Sequence, residues 1–553
     1  MDKIYDFWKN NSSLWFNSTP EDDKYIYDNF NELLVLEYID TFNKKEWTSY
    51  CILFDQLLKH MNRHNNIHKD PNNFIKNCYS NYDKFKDNLD DFEFMFQLMP
   101  IRHTHQLSHV KYVLNETWKR LELNKHNQFI KKFLIATYER YIKYTDETNL
   151  IKYIDSDIVF FNDEILDNIS PKSNEVSFNY KSSIKLDYLY KCMDEFIKTN
   201  IINNNPRFKM EIKSEIKSEI KSEIKSEIKS EIKSEIKSEI KSEITISISG
   251  GVDSMVCSYL LKQLTKEYEN INFSAIHIDY YNRPECEKEE QLLIWWCNSI
   301  LNIPLYIRRI DEINRSKCME YELRDLYESY TKDVRYSSYN NNNYNYNYNY
   351  IMLGHNKDDT IENILTNTAS QSHYENLLGM TSISTQSYKN KDIIFLRPLI
   401  NIPKSDIYKF AIENNIPFLQ DSTPKWSQRG KIRDIVKPAL VEWNPLILDG
   451  FIKLSEKMSQ MTLLLDKLIS NNNIYINIHE VPVNHIYWTT YLKKNNIYIT
   501  QKTLECLIEK IIFLQKNECK LKETQKFRLS KNHLIMFKQT KTSLIFNIFN
   551  QRN

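Results

Sequence analysis

The spacing of apolar residues predicts helices throughout the first 155 residues. Segments such as NFNELLVLEYIDTF, WTSYCILFDQLLKHM and HNQFIKKFLIATYERYIKY repeat apolar positions every three or four residues. That period is typical of amphipathic helices, and no alternation of the kind found in strands competes with it. We therefore predict an all-α domain over residues 1–155.

Residues 156–245 are polar and end in a tandem repeat. The four-residue unit EIKS recurs from Glu211 to the edge of the next apolar segment. In a helix this period places like charges at i,i+4, and in a strand so uniform a sequence fixes no register. We predict a solvated, partly helical linker. The tract SSYNNNNYNYNYN (337–349) is a second expansion, predicted as a surface loop before the strand at Ile351.

Strands and helices alternate from residue 246 to residue 445. The segment FSAIHIDYYNRPECEKEEQLLIWWCNSILNIPLYIRRI reads as strand, loop, helix and strand, which is the order of a βαβ unit in a parallel sheet. Residues 446–553 mix one helical stretch, LECLIEKIIFLQ, with strand-like HLIMF and SLIFNIF. The chain is thus predicted to be multidomain, with an α/β parallel-sheet core between an all-α N-terminal domain and a small α+β C-terminal region.

Composition narrows the class of protein. A length of 553 residues allows two to four domains, and the formal net charge of +1 excludes a strongly basic chain. In residues 446–553 basic side chains outnumber acidic ones by about two to one, which suits either a phosphate backbone or a solvated face. We expect neither a signal peptide nor a membrane span, and a cytoplasmic location, with an organelle also open. The nine cysteines include no CxxC pair, which favours reduced thiols.

The segment ITISISGGVDSMVCSYLLKQL carries the clearest chemical signal. A β-branched strand runs into a glycine-rich turn and then directly into a helical pattern. Glycines at such a turn let the backbone approach a phosphate, whose charge meets N–H groups and the positive end of the helix. The spacing is neither that of a Walker A loop nor that of a Rossmann turn. The predicted nucleotide-binding residues are Ser249, Gly250, Gly251, Val252, Asp253 and Ser254.

A second polar turn, YIMLGHNKDDTIENIL, follows another buried strand. Asp358 and Asp359 open a helix that continues through Glu362, so acidic groups lie on one rim. Carboxylates in this arrangement suit Mg²⁺ or a cationic amine. Capping of the helix by an aspartate is the competing explanation for one of the pair.

These motifs resemble the tRNA(Ile)-lysidine synthetases, which belong to the PP-loop ATP pyrophosphatases. SGGVDS matches the PP-loop pattern SGGxDS, and GHNKDDTIE matches the family's HxxDDxxE. A strand ending in His277 and Asp279, followed by Arg283, is also similar. The segment FLRPLINIPKSDIYKFAIENNIPFLQDSTPKWSQRGKIRDIVKPAL resembles the end of the family's core. The residues of this segment that match functional positions of the family are Arg397, Asp421, Ser422, Arg429 and Arg433.

Three departures accompany the resemblance. Gly430 stands where the family usually has Asn, the loop between the Asp and the first of the paired arginines is about two residues shorter, and only Arg324 matches a place where the family tends to have two arginines. The resemblance covers roughly residues 245–445 and implies a PP-loop catalytic domain, similar to the adenine nucleotide alpha hydrolases, over residues 246–445.

The resemblance implies an ATP-dependent ligase that attaches free lysine to an anticodon cytidine of a tRNA through an adenylated intermediate. It implies ATP and Mg²⁺ as cofactors and tRNA as a partner, with no membrane. Ser249, Gly251, Ser254 and Arg429 would stabilise the phosphates, and Asp358 or Asp359 would orient or deprotonate the amine. His277 and Asp279 would face the nucleotide. Substrate-binding roles fall on His355, Glu362, Arg397, Asp421 and Arg433.

Two alternatives remain open on the sequence. A PP-loop tRNA thiolase, or another tRNA-modifying adenylating enzyme, would share the ATP site, although many thiolases use CxxC cysteines that this chain lacks. A catalytically idle tRNA-binding or scaffold protein would keep the fold, but it would not need intact SGGVDS and GHNKDD.

The N-terminal segment resembles an uncharacterised, TPR-like family of bacterial proteins. The similar stretches are FWKNNSSLWFNSTPEDDKYIYDNFNELL, ILFDQLLKHMNRH and FMFQLMPIRHTHQL. Asp55, Gln56, Arg63 and His103 fall on that family's recurrent polar positions. They are interpreted either as lining a site or as buried groups that pack helices and surface charges.

Overall fold

A computed structural model gives the fold of most of the chain. It describes residues 1–15, 18–38, 40–69, 71, 73–145, 151–153, 169–170, 187–202, 242–265, 267–268, 271–282, 286–341, 349–370, 379–419, 427–470, 476–477, 483–495, 497–516, 525–530, 533–539 and 544–550. Most of the EIKS repeat and the core of the Asn/Tyr tract lie outside these ranges.

The N-terminal region is built from helices. They are α1 (Asp2–Asn10), α2 (Pro20–Phe30), α3 (Lys44–Cys51), α4 (Leu58–Asn65), α5 (Phe74–Phe85), α6 (Asp91–His103), α7 (Leu107–Leu123) and α8 (Gln128–Thr145). A π-helical turn, Ile52–Leu57, joins α3 to α4. Capping boxes at Thr19, Asn43 and Asp90 explain where three of these helices begin, because each side chain accepts a bond from the first turn.

A seven-stranded sheet forms the centre of the second part. Its strands are β1 (Ile151–Tyr153), β3 (Ser242–Ser247), β4 (Ile271–Asp279), β5 (Leu305–Arg309), β6 (Asn349–Leu353), β7 (Ile383–Tyr388) and β8 (Lys391–Leu396). The spatial order is β1-β5-β4-β3-β6-β8-β7. The five inner strands are parallel, and the edge strands β1 and β7 are antiparallel. β4 is buried at eight of nine positions, as expected for a strand covered on both faces.

Helices cover both faces of this sheet. They are α9 (Asp187–Ile197), α10 (Val252–Leu264), α11 (Cys286–Trp295), α12 (Arg315–Glu320), α13 (Arg324–Asn341), α14 (Lys357–Ala369) and α15 (Lys404–Glu413). The strand order changes direction beside β3, since β4 lies on one side and β6 on the other. In parallel α/β sheets, ligands bind at the carboxyl ends of the strands at such a point.

The C-terminal region combines helices with a small sheet. The short helices α16 (Gln428–Lys431) and α17 (Lys437–Trp443) lead into α18 (Ile447–Ser470), and α19 (His485–Lys494) and α20 (Gln501–Lys516) follow. The strands β10 (Ile476–Asn477), β11 (Gln525–Arg528), β12 (His533–Gln539) and β13 (Leu544–Asn550) form an antiparallel sheet in the order β10-β13-β12-β11. Trp488, Leu507 and Phe537 are buried in its core.

The structure shifts two of the predicted boundaries. β1, inside the predicted all-α segment, pairs with β5 of the central sheet, because its extended backbone completes that edge. α9, inside the predicted linker, buries Leu189, Met193 and Ile197 in the core of the central sheet. A two-stranded pair of β2 (Ile169–Ser170) and β9 (Phe418–Leu419) adds a further contact to this part. Among the helices of the described segments, none combines the length and apolarity needed to cross a membrane.

Candidate nucleotide-binding site

The turn between β3 and α10 has the geometry expected of a phosphate-binding loop. β3 ends at Ser247, and α10 begins at Val252, with Gly251 as its N-cap. Gly250 has φ of +79°, a conformation that favours glycine. Inside the turn, the Ser249 N–H donates to Ser254 Oγ over 3.2 Å, and Ser254 Oγ–H donates to the Gly251 carbonyl over 2.9 Å. The turn is therefore preorganised by its own hydroxyl, with its glycines at the start of a helix.

Gly354 allows the second polar turn to lie directly on the first. A Cβ added at Gly354 would lie 2.8 Å from the carbonyl carbon of Asp253 and 2.9 Å from the Ser254 nitrogen. Both are backbone atoms, which cannot rotate away as a flexible side chain does. The absence of a side chain at residue 354 thus lets the loop after β6 touch the phosphate-binding loop after β3.

Asp253 is held by groups from two other elements. Its Oδ1 accepts a hydrogen bond from Asn356 Nδ2 over 2.8 Å, and its Oδ2 lies 3.6 Å from Lys404 Nζ. Asn356 also caps α14 and is itself buried. Burial raises the pKa of the Asp253 carboxyl, with Asp359 adding a like charge, while Lys404 and Asn356 act in the opposite direction.

A cavity of about 420 Å³ opens beside this loop. Its walls come from the ends of β3, β4, β6 and β8, from α13 and from β7. The predicted site residues that line it are Ser249, Asp253, Ser254, His355, Asp359 and Arg397. The structure therefore brings residues from three separate sequence motifs to one cavity at the carboxyl edge of the sheet.

An aromatic and basic wall of this cavity was missed by the sequence analysis. Arg335, Tyr336 and Tyr339 reach the cavity from α13, and Phe395 reaches it from β8. The Tyr339 hydroxyl lies 2.9 Å from Ser247 Oγ, just before the phosphate-binding loop. The clustering of one arginine with tyrosines three residues apart was the available signal. Arg324, which the family resemblance singled out, lies exposed at the start of α13 and pairs with Glu328.

The neighbouring aspartates of the second turn face different partners. Asp359 lines the cavity, accepts a hydrogen bond from the Asn356 N–H over 3.1 Å and lies 3.8 Å from an Arg433 nitrogen. Asp358 is not among the lining residues; it accepts from the Lys404 N–H over 2.9 Å and pairs with Lys437 over 2.5 Å. Burial is the largest single influence on the pKa of Asp358 and raises it. The bonds and charges of Lys437 and Lys404 together outweigh burial, so the pKa of Asp358 is lowered. Asp359 is therefore the better placed of the two to meet a ligand.

Glu362 and Arg433 form a buried ion pair. Glu362 has an exposed fraction of only 2%, and Arg433 Nε donates to it over 2.5 Å while Nη2 donates over 3.2 Å. A planar guanidinium bound through two nitrogens to one carboxylate is a well-ordered arrangement. The pair fixes the segment after α16 to α14, and neither of its residues is among those that line the cavity.

His355 and Arg397 meet at the mouth of the cavity. Arg397 Nε donates to His355 Nδ1 over 3.2 Å, and Nη1 donates to Ser384 Oγ over 2.9 Å. Burial lowers the pKa of His355 to about 4, and the charges of Arg397 and Arg429 act in the same direction. The imidazole is therefore neutral near pH 7 and serves as an acceptor for Arg397.

The remaining predicted residues lie elsewhere. His277 is buried, with Nδ1 2.9 Å from the Ile248 carbonyl, and Asp279 accepts from the Tyr281 N–H over 2.8 Å. Neither is among the residues that line the cavity. Arg429 is exposed on α16. The predicted residues Asp421 and Ser422, together with Arg283, lie outside the described residues.

The residues present fit a Mg²⁺ ion that is bound mainly through a nucleotide. Within the described ranges, no group of three or more His, Cys, Asp or Glu residues forms a ready metal site. Asp253 and Asp359 nevertheless line the same cavity and are close enough to influence each other electrostatically. Mg²⁺ is usually held by one or two carboxylates together with phosphates and water, which matches this pair.

Comparison with known proteins defines the class. Residues 223–440 match a family model described as a PP-loop domain. The phosphate-binding turn lies within this range, at the carboxyl edge of a parallel sheet. This part of the chain therefore matches a PP-loop domain, as its sequence motifs predict.

The curated relatives narrow the resemblance further. A tRNA(Ile)-lysidine synthase of Malacoplasma penetrans is 24% identical over 280 residues, which cover 48% of this chain and 89% of the relative. The tRNA(Ile)-lysidine synthase of Mycoplasma mycoides subsp. mycoides SC is 25% identical, over 48% of this chain and 66% of the relative. The tRNA(Ile)-lysidine synthase of Chlamydia muridarum is 28% identical over 218 residues, which cover 39% of this chain and 63% of the relative. The chain is thus similar to the tRNA(Ile)-lysidine synthases, and it spans somewhat under two thirds of the last two.

One solved structure shows a weaker likeness. It is the U34-tRNA thiolase NcsA from Methanococcus maripaludis with its [4Fe-4S] cluster. The two sequences are 18% identical, the match covers 40% of this chain and 73% of the thiolase chain, and the TM-score is 0.33. At this TM-score the likeness carries no argument about fold or function.

Proposed function

We propose that this protein uses ATP to attach lysine to a cytidine in the anticodon of a tRNA. The observation that carries the proposal is the cavity in which the phosphate-binding loop faces Asp359, His355 and Arg397. These side chains come from sequence motifs that resemble those of the tRNA(Ile)-lysidine synthases. A phosphate site and a carboxylate that can meet an ammonium group are the two features that this reaction needs.

The first step would be adenylation of the cytidine. The ring carbonyl oxygen of the base attacks the α-phosphorus of ATP, a new P–O bond forms, and the bond to the β-phosphate oxygen breaks to release pyrophosphate. Ser249, Gly251 and Ser254 would bind the phosphates, and Arg429 would neutralise charge that develops there. A bound Mg²⁺ ion, held by Asp253 together with the phosphates, would supply further charge neutralisation.

The second step would transfer lysine. The side-chain amine attacks the activated ring carbon, a C–N bond forms, the C–O bond to the phosphate breaks, and AMP leaves while the amine loses a proton. Asp359 is the residue placed to orient the amine, because it lines the cavity whereas Asp358 is bonded to Lys437 and the Lys404 N–H. The chemistry depends on positioning and charge more than on a protein nucleophile.

Binding of the tRNA would use surface outside the cavity. Residues 446–553 have a local excess of basic side chains, with Lys493, Lys494 and Lys516 at the ends of α19 and α20. Lysine contacts with phosphates position a nucleic acid but do not read its bases. We propose that this region contacts the tRNA backbone.

Tracing the modified nucleoside tests the proposal directly. A tRNA anticodon stem-loop is incubated with the protein, ATP and lysine, and its nucleosides are analysed by mass spectrometry. A cytidine whose mass increases by that of lysine minus water, and only when ATP and lysine are both present, is the expected product. Dependence on a sulfur donor instead would favour thiolation, although no cysteine among the described residues lines the cavity. Lack of tRNA-dependent pyrophosphate release would favour the scaffold alternative.

A further inference from the structure

The helical N-terminal region packs directly against the domain that holds the cavity. Residues of α7 and α8 share one buried apolar cluster with residues between Ile310 and Tyr339. The ring of Trp118 meets that of Tyr321 edge-on at 5.7 Å, and the ring of Tyr138 meets that of Tyr330 at 5.1 Å. The two regions are therefore joined by a hydrophobic core and not only by the chain that connects them.

Polar bonds give this interface a defined geometry. The Tyr138 hydroxyl donates to the Glu312 carbonyl over 2.9 Å and accepts from Trp118 Nε1 over 2.9 Å. Lys131, whose side chain is 5% exposed, pairs with Glu322 over 3.0 Å. Buried polar groups need specific partners, so these bonds favour one relative placement of the two surfaces.

Glu312 links this interface to α13 and to the central sheet. Its backbone carbonyl accepts from Tyr138, while its carboxylate accepts from the Tyr330 hydroxyl over 2.8 Å and pairs with Arg308 of β5 over 2.5 Å. The carboxylate is almost completely buried. Hydrogen bonds to Glu312 thus connect Tyr138 with Tyr330.

Helix α13 lies between this interface and the cavity. A helix turns by about 100° per residue, so Tyr339, nine residues after Tyr330, points roughly to the opposite side. Arg335 and Tyr336 lie on that same opposite side, and all three line the cavity. The face that contains Tyr330 and Val334 is buried in the cluster shared with the N-terminal helices.

The cavity-facing side chains of α13 are bonded to other walls of the site. The Tyr339 hydroxyl lies 2.9 Å from Ser247 Oγ, and the Tyr336 hydroxyl donates to Gln386 Oε1 over 2.7 Å. The Arg335 guanidinium lies over the Tyr336 ring, 5.6 Å from its centre. These contacts are made only if α13 keeps its position relative to β3 and β7.

We propose that the N-terminal helical region is a positioning element of the nucleotide cavity, which holds α13 from behind so that Arg335, Tyr336 and Tyr339 form one wall. Tyr138 is then a positioning residue, because it acts through Glu312 and α13 and touches no ligand. The inference rests on ATP binding in this cavity and not on the identity of the group transferred.

The test compares two tyrosine hydroxyls of the helical region. Tyr138→Phe removes the bonds to Glu312 and Trp118 but keeps the ring against Tyr330. Tyr82→Phe is the matched control, because the Tyr82 hydroxyl is also buried and donates over 3.0 Å to Glu116, but within the helical region itself. Binding of a non-hydrolysable ATP analogue is measured by calorimetry, and amide hydrogen exchange of α13 by mass spectrometry.

Tyr138→Phe is expected to weaken binding of the analogue about fivefold and to speed exchange in α13. Tyr82→Phe should lower the unfolding midpoint while binding stays within about twofold of the wild type. The fivefold figure corresponds to one buried hydrogen bond, about 1 kcal/mol. Wild-type affinity for the analogue in Tyr138→Phe, or equal loss of affinity in Tyr138→Phe and Tyr82→Phe, would overturn the inference.

A double-mutant cycle tests the route through α13. If Tyr138 acts through the wall that contains Tyr339, then Tyr138→Phe should weaken binding less in a Tyr339→Phe background than in the wild type. Strictly additive losses would overturn that route. Lys131→Met, which removes the ion pair with Glu322 at another part of the interface, should give the same direction of effect as Tyr138→Phe; unchanged binding in Lys131→Met would also count against the inference.

These outcomes are separable from failure of the proposed function. A chain that binds the ATP analogue but forms no lysine-modified nucleoside would refute the ligase and leave the positioning role standing. A wild-type chain that does not bind the analogue at all would overturn both.

Discussion

Replacement of Gly354 by alanine is expected to damage the nucleotide site more than the protein's fold. The added methyl carbon would lie 2.8 Å and 2.9 Å from the carbonyl group of Asp253 and 2.9 Å from the Ser254 nitrogen, whereas ordinary contacts begin at 3.4 Å. One of the two loops must therefore move by about 0.6 Å. Since the obstructing atoms belong to the turn between β3 and α10, the displacement occurs where we propose that ATP binds.

The size of the effect follows from the kind of strain. Insertion of a methyl group into a packed site costs about 1–3 kcal/mol, and loss of unfolded-state entropy on changing glycine to alanine returns about 0.4–1 kcal/mol. The two ranges combine to a net loss of stability between about 0 and about 2.6 kcal/mol, with a central value of roughly 1.3 kcal/mol. Misplacement of a reacting group by a fraction of an ångström to 1 Å reduces turnover by up to about a hundredfold. Pyrophosphate release should therefore fall by about ten- to a hundredfold.

Gly450→Ala provides a control with the same chemical change. Gly450 lies in α18, and among the described atoms none beyond its own helix and neighbours lies within 4 Å of the added carbon. Alanine in a helix is more stable than glycine by about 0.5–1 kcal/mol, so this variant should melt at or above the wild-type temperature with normal turnover. ATP-analogue affinity, pyrophosphate release and melting temperature are measured for both variants. Wild-type affinity and turnover in Gly354→Ala would refute the steric argument.

Three further predictions concern the groups around the cavity. Asp359→Asn should raise the lysine concentration needed for product formation roughly ten- to a hundredfold, since a charged hydrogen bond contributes about 1.5–3 kcal/mol. Asp358→Asn should leave that concentration unchanged, and product formation measured against lysine concentration in both variants tests the difference. Glu362→Gln should cost about 3–5 kcal/mol in urea unfolding because it leaves the Arg433 charge without its buried partner, and a loss below about 1 kcal/mol would contradict this. The pKa of His355 is lowered to about 4, so the unfolded chain binds a proton at a higher pH than the folded chain, and the wild type loses stability as the pH falls from about 6.5 to 4. The urea midpoint of the wild type should therefore be lower at pH 5 than at pH 7, and this difference should shrink in His355→Asn. A wild-type midpoint that does not fall between pH 7 and pH 5 would contradict the prediction.

Local sequence was sufficient to predict the glycine-containing turn between β3 and α10. The transition from β-branched strand to glycines to helix is encoded within about twenty consecutive residues, and the structure places Ser249 and Ser254 at that turn. The parallel order of the sheet followed from the alternation of strands and helices. Both features are indicated by patterns within short stretches of the sequence, although the strands that pair in the sheet lie far apart in the chain.

The assignment of the two aspartates required tertiary structure. Asp358 and Asp359 are adjacent on the first turn of a helix, so they point in directions about 100° apart, and only the positions of Lys404 and Lys437 show which one is already bonded. The same holds for the wall formed by Tyr336 and Tyr339, because its place depends on how α13 packs. No periodicity within α13 identifies the neighbour of each face. The roles proposed for Asp359 and Arg429 remain predictions.

The described segments on either side of the EIKS repeat belong to the same folded unit. Ile197 and Ile201, in the described segment before the repeat, are buried with Ile244 of β3 in one core. Because the N-terminal helices are held by their own contacts with α13, this connection does not have to set the distance between two domains. Each doubling in the length of such a connection costs only about 0.6 kcal/mol in closure entropy. A gene that gains or loses twelve-nucleotide units here would therefore change the size of the protein with little consequence for its folding, so drift in the number of repeats between related strains would be nearly neutral.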